Sequence, residues 1–123
     1  MQVLLVFLGG GIGAACRYAV SLAAARLYGD GFPWGTLWVN LAGCFLIGLA
    51  FALGVERAVI SPQVRLLFVT GFLGGLTTFS SYGIESVSLA RDAQWASGLA
   101  NIAANNVGGL LLVLAGLWTG RQL

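Results

Sequence analysis

Lysine and histidine are missing from this chain, and the remaining charge is thin: six arginines and four acids, 8% of 123 residues. Soluble domains carry about 25% charged residues, so a water-soluble globule is excluded. A net charge of +2 is too sparse for a surface that neutralises phosphates, which excludes nucleic acid as a partner. With no histidine, no paired acids and no activated cysteine, the usual groups for general acid–base or nucleophilic catalysis are missing, and the chain does not read as an enzyme. Cys16 and Cys44 lie inside hydrophobic segments without metal-ligand spacing, so they read as small apolar residues that say nothing about compartment. No basic leader precedes the first apolar run, and a cleaved signal peptide is not expected.

What is there is hydrophobic: 59% of residues and a mean hydropathy of +0.92. Four apolar segments approach the roughly 20 residues needed to cross a bilayer core: Val3 to Ala25, Gly35 to Leu53, Val64 to Leu89, and Trp95 to Trp118. This predicts an all-α integral membrane protein, one domain over residues 1–123. The first connection, Tyr28 to Trp34, is a turn cluster whose aromatics suit the headgroup level. In the second, Ser61-Pro62 is placed to open the next helix.

The least ordinary stretch is Gly71 to Glu85, which sets three early glycines, two threonines, two serines, the aromatics Phe79 and Tyr82 and a carboxylate inside the third segment. Gly71, Gly74 and Gly75 lower helix propensity, and Thr77, Thr78, Ser80 and Ser81 compete for main-chain partners. A helix broken near Gly74 to Thr78 is the expectation, its freed carbonyls able to ligate a cation and its amides and hydroxyls an anion. The plainer reading is a tight helix crossing. Phe79 and Tyr82 share a face after this point, with Glu85 a turn further on; aromatic edges are positive and can stabilise a small anion, although such pairs are commonly packing. Glu85 is an intramembrane carboxylate and so a site candidate, or else a structural hydrogen-bond or arginine partner.

Elsewhere, Gly9, Gly13 and Arg17 recur every four residues on one face of the first segment. The glycines let another helix approach closely, and Arg17 either faces protein or a watery vestibule or snorkels to the interface. Thr36 and Asn40 lie one turn apart in the second segment, as do Asn101 and Asn105 in the fourth, with Asn106 beside them; these amides read as interhelical glue or as a polar track. With alternating spans, Arg57, Arg65 and Arg121 fall on one side and Arg26 and Arg91 on the other. That balance scarcely specifies orientation and permits insertion both ways, hence an antiparallel dimer.

Three patterns together resemble the CrcB/Fluc family of fluoride ion channels: Gly9-x-x-x-Gly13-x-x-x-Arg17-Tyr18, Gly35-Thr36-Leu37-x-x-Asn40-x-x-Gly43, and the run from Gly71 to Glu85. The resemblance implies an antiparallel dual-topology homodimer in the inner (plasma) membrane, with two narrow pores that pass fluoride out of the cytoplasm. It further implies a structural sodium ion at the dimer centre, held by main-chain carbonyls at the positions of Gly74 and Thr77. On the fluoride pathway it places Asn40 as an amide donor and Phe79 as a ring edge. Tyr82 falls where familiar members commonly have a second phenylalanine, so its hydroxyl offers an alternative to the ring edge. Asn101 and Asn105 match a tyrosine and a serine, Thr36, Ser81 and Glu85 continue the polar track, and Arg17 becomes structural or shapes the vestibule.

Two rival readings remain at this level. A small multidrug transporter has four spans but needs a carboxylate in the first, where this chain has Arg17 and no acid. A non-conducting assembly subunit would use every glycine and asparagine for packing.

Overall fold

The computed structural model describes Met1–Leu123, all of it helical apart from short connections. Four helices are long and apolar enough to span a membrane: Gln2–Tyr28, Trp34–Glu56, Pro62–Arg91 and Trp95–Gln122. The first, at 27 residues, rises about 40 Å and exceeds a hydrocarbon core of about 30 Å. Its end is set by Gly29, whose φ of 76° no residue with a Cβ adopts cheaply. At the opening of the third span Ser61 Oγ accepts from Val64 N at 3.3 Å and Pro62 takes the first helical position, as Ser-Pro spacing predicts.

Glycine decides how the spans pair. The first span lies against the first half of the third, and the second against the latter part of the fourth. A Cβ built on Gly9 would collide with the Leu67 carbonyl, on Gly13 with the Phe72 carbonyl, and on Gly75 with the Gly10 carbonyl. Across the other pair, Gly48 would meet the Val113 carbonyl and Gly116 the Phe45 carbonyl. Each obstacle is backbone, so these are contacts between main chains, the closest approach available to helices in lipid. Between the pairs sits a small apolar core of Val39, Leu73 and Leu76, with Val20, Leu46, Phe68 and Phe72 around it.

Three stretches wind wider than an α-helix, as π-turns: Ala52–Glu56, Leu66–Leu73 and Ala104–Gly108. Such turns rotate the residues that follow relative to the α period. In the third span the helical ladder stops at Leu76 and resumes at Phe79. Thr77 (φ −81°, ψ 155°) and Thr78 (φ −152°, ψ 120°) are extended. The second and fourth spans are joined at one end by Arg121, which donates to both carboxylate oxygens of Glu56 at 2.8 and 2.6 Å.

Candidate functional site

The site begins with two main-chain groups that the break takes out of the helical ladder, the N–H and C=O of the buried Thr78. In a continuous helix Thr78 N would donate to Gly74 O; instead it donates to Asn40 Oδ1 at 2.8 Å, and Asn40 Nδ2 donates back to Thr78 O at 3.1 Å. One carboxamide thereby answers both main-chain groups of an extended residue at membrane depth, where each left unpaired costs several kcal/mol. Thr78 Oγ1 accepts from Ser81 N at 3.2 Å and donates to Ser81 Oγ at 3.1 Å, capping the helix that restarts at Phe79. Thr77 N and Oγ1 both return to Leu73 O, at 3.0 and 2.9 Å. Gly43 leaves room for this arrangement, because the Thr77 methyl occupies the place of its missing Cβ.

From Asn40 a chain of donors runs across three spans. Thr78 N can only donate and Thr78 O only accept, so the orientation of the Asn40 amide is fixed, and with it every amide beyond. The second Asn40 Nδ2 proton goes to Asn105 Oδ1 at 2.9 Å. Asn105 Nδ2 donates to Asn101 O and Oδ1, at 3.0 and 2.9 Å. Asn101, 0% exposed, passes its own Nδ2 proton to Ser86 Oγ at 2.9 Å, and Ser86 Oγ donates to Tyr82 O at 2.8 Å. The chain leaves the third span at Thr78, re-enters it at Ser86 and ends on the Tyr82 carbonyl one turn earlier.

Beside this chain opens a cavity of about 340 Å³ whose lining includes Asn40, Thr78, Phe79, Tyr82, Asn105 and Asn106. It has no charged side chain in its wall. The Phe79 and Tyr82 rings meet edge to face, centroids 5.3 Å apart at 66°, the arrangement their quadrupoles prefer. Phe79 is 79% exposed whereas Tyr82 is 8% exposed. A second cavity of about 360 Å³, between the first and third connections, has a polar wall including Thr36, Asp30, Ser88, Asp92 and Glu85. There Thr36 Oγ1 donates to Glu85 Oε1 at 2.7 Å, and Glu85 Oε2 is buried without a partner.

The sequence-derived residues therefore divide. Asn40, Gly74, Thr77, Phe79, Tyr82 and Asn105 surround one cavity, and Thr36 and Glu85 the other. Ser81 lines neither and serves Thr78, and Asn101 is buried behind the first cavity. Arg17 lines neither cavity, and its Nη1 donates to Thr77 O at 3.5 Å, so it faces protein. Sequence reasoning missed Ser86, gave Thr78 no role beyond competing for the backbone, and left Asn106 as a neighbour of Asn105. No sequence signal separates Ser86 from an ordinary helical serine. Asn105 and Asn106 both reach the cavity from a π-turn that is invisible in residue periodicity.

A family model described as CrcB-like protein, Camphor Resistance (CrcB), matches residues 4–117. Among curated relatives, one of Chloroflexus aurantiacus is 44% identical over 120 residues, covering 98% of this chain and 95% of its own length. One of Rhizobium etli is 45% identical over 123 residues, covering 100% of this chain and 98% of its own. One of Aquifex aeolicus is 44% identical over 121 residues, covering 98% of each. All three carry the name fluoride-specific ion channel FluC. With the match running nearly end to end, through the glycine pairs and the Asn40–Thr78 clasp alike, this chain belongs to the CrcB family.

Proposed function

We propose that this protein is a fluoride-selective channel of the plasma membrane, a multi-pass protein that lets fluoride leave the cytoplasm passively and so lowers its toxicity. The observation that carries the reading is the cavity beside Thr78, where carboxamides, hydroxyls and two aromatic rings are set among aliphatic residues such as Ile47, Val69 and Leu73, with no charged side chain. Fluoride is small and holds water tightly. A pathway for it must replace that water with close donors yet bind weakly enough for release, which a fixed cationic site would prevent. Phe79 offers its ring edge. Asn40 keeps one amide proton on Thr78 O while an arriving ion competes with Asn105 Oδ1 for the other. Asn105 and the Asn101 behind it hold that amide in register, and Thr36, Ser81 and Glu85 extend the polar route toward the second cavity.

The working unit in this proposal is an antiparallel dual-topology homodimer with two pores, each completed by both copies. The balanced arginine count supports it. At the break itself the chain places nothing within 4 Å of the missing Cβ of Gly74, which leaves room there for the backbone of a second copy. The break in the third span then serves the dimer centre as well as the pore. Gly74 O has lost its helical donor to Asn40, and such a carbonyl fits a hard cation, which takes oxygen ligands. Gly74 O and Thr77 O from two copies would hold a structural sodium, with Arg17 close to the latter. When bound, sodium balances the partial negative charge of the freed carbonyls. Thermal unfolding in sodium chloride against choline chloride tests this: a higher midpoint in sodium is expected, and identical midpoints would remove the ion's structural role.

The channel reading itself is tested by anion efflux from liposomes carrying the purified protein, followed with fluoride and chloride electrodes together. Fast fluoride loss with chloride retained is the expected result. Retention of both anions by well-folded protein would instead favour a non-conducting assembly subunit.

A further inference from the structure

The donors around the cavity can be counted one proton at a time. Asn40 has spent both amide protons, on Thr78 O and Asn105 Oδ1. Asn105 has spent both on Asn101. Thr77 Oγ1 gives its proton to Leu73 O, and Thr78 Oγ1 gives its own to Ser81 Oγ. Asn106 Nδ2 donates to Ile102 O and to Tyr82 Oη, each at 2.8 Å. The Ile102 carbonyl can only accept, so it fixes the nitrogen of Asn106 on this side. Tyr82 Oη is thereby made an acceptor toward Asn106. A phenol has one proton of its own, and the proton on Tyr82 goes to no protein group, although the side chain is only 8% exposed. Among the side-chain hydroxyls and carboxamides that wall the cavity, it alone has an uncommitted hydrogen.

We infer that the Tyr82 hydroxyl is an anion-donating subsite in the wall of the pathway, and that Asn106 is the positioning residue that turns its proton toward the ion. The inference rests on the channel reading and deepens it. Tyr82 acts through its oxygen as well as its ring, so passage beside it depends on a hydrogen bond and not on edge electrostatics alone. Asn106 touches no ion in this account. It occupies one lone pair of the phenol and leaves the proton to the cavity side, while the π-turn of Ala104–Gly108 brings it and Asn105 to the same wall.

The test is a cycle of Y82F, N106L and the double variant, reconstituted in liposomes, with initial fluoride efflux measured against internal fluoride concentration. Each protein is first checked for monodisperse elution and thermal midpoint. Y82F removes one oxygen and keeps the ring. Loss of a hydrogen bond to a charged partner predicts a rise of about tenfold in the half-saturating fluoride concentration. N106L should give a smaller rise in the same direction, and it should add nothing on top of Y82F, because Asn106 acts only through the hydroxyl. An unchanged half-saturating concentration in Y82F overturns the donor role while the wild type's selective efflux leaves the channel reading standing. An N106L effect of equal size in the Y82F background overturns the positioning role. A wild type that passes no fluoride overturns both the channel reading and this inference.

Discussion

At the scale of single residues, Asn40 and Phe79 line one cavity and share a prediction for flux, but they part on stability. Asn40 clasps Thr78 with a donor and an acceptor. Asn40→Asp sets an oxygen against the Thr78 carbonyl, leaving a part-buried acceptor unpaired at a cost of about 1–3 kcal/mol. It should both stop fluoride efflux and lower the unfolding midpoint. Phe79 makes no hydrogen bond through its side chain and is 79% exposed. Phe79→Ile should cripple efflux and leave the midpoint where it was. Measuring flux and melting on the same two preparations checks the pair. Wild-type efflux through the isoleucine variant discards the ring-edge role, and an undisturbed aspartate variant discards the clasp. Much of this site was legible in residue types: an amide, an aromatic pair and hydroxyls inside a hydrophobic span have few uses. What residue type could not reveal is that Asn40 has its protons committed, since that depends on Thr78 and Asn105, respectively 38 and 65 positions away.

Among elements, the decisive contacts are between glycine-lined backbones. The recurrence of Gly9 and Gly13 at four-residue spacing marked a close-approach face, and both residues are buried. The partner was not legible, because small-residue stripes also occur on the second and fourth spans and spacing does not say which two will meet. Gly13→Leu drives a side chain into the Phe72 carbonyl and toward Leu76 N. Overpacking of a rigid contact costs about 1–3 kcal/mol or more, and folded yield in detergent should fall sharply. Gly11→Leu, which meets nothing within 4 Å, should be tolerated, and comparing the elution profiles of the two variants reads the difference. The π-turns lie beyond periodicity altogether. Ala104–Gly108 brings Asn105 and Asn106 to one cavity, whereas an α-helix sets adjacent residues about 100° apart.

For the whole molecule, the prediction concerns orientation. Large apolar side chains are exposed all along the first and fourth spans, from Val3 and Phe7 to Leu114 and Trp118. That is the ordinary state of a surface that meets lipid, so exposure alone does not mark a dimer face. Charge is the better guide, because the arginine bias across short loops sets topology and here it is nearly balanced. Reporter fusions at the C-terminus, one active only inside the membrane barrier and one only outside, should both give signal. A single active reporter would establish one fixed orientation and remove the antiparallel dimer.

The sequence by itself determined the class of this protein. Hydrophobic runs of spanning length with 8% charge leave no alternative to a membrane, since each span must bury its backbone polar groups within its own helix. It also determined the inventory of the site, because amides, hydroxyls and a carboxylate are too costly in lipid to be incidental. The tertiary structure decided which donors are free. A hydrogen bond has two ends, and Thr78, Asn40, Asn105, Asn101, Ser86 and Tyr82 are joined only when three spans come together. Composition sets how many protons a span carries, and packing sets which of them remain to be given.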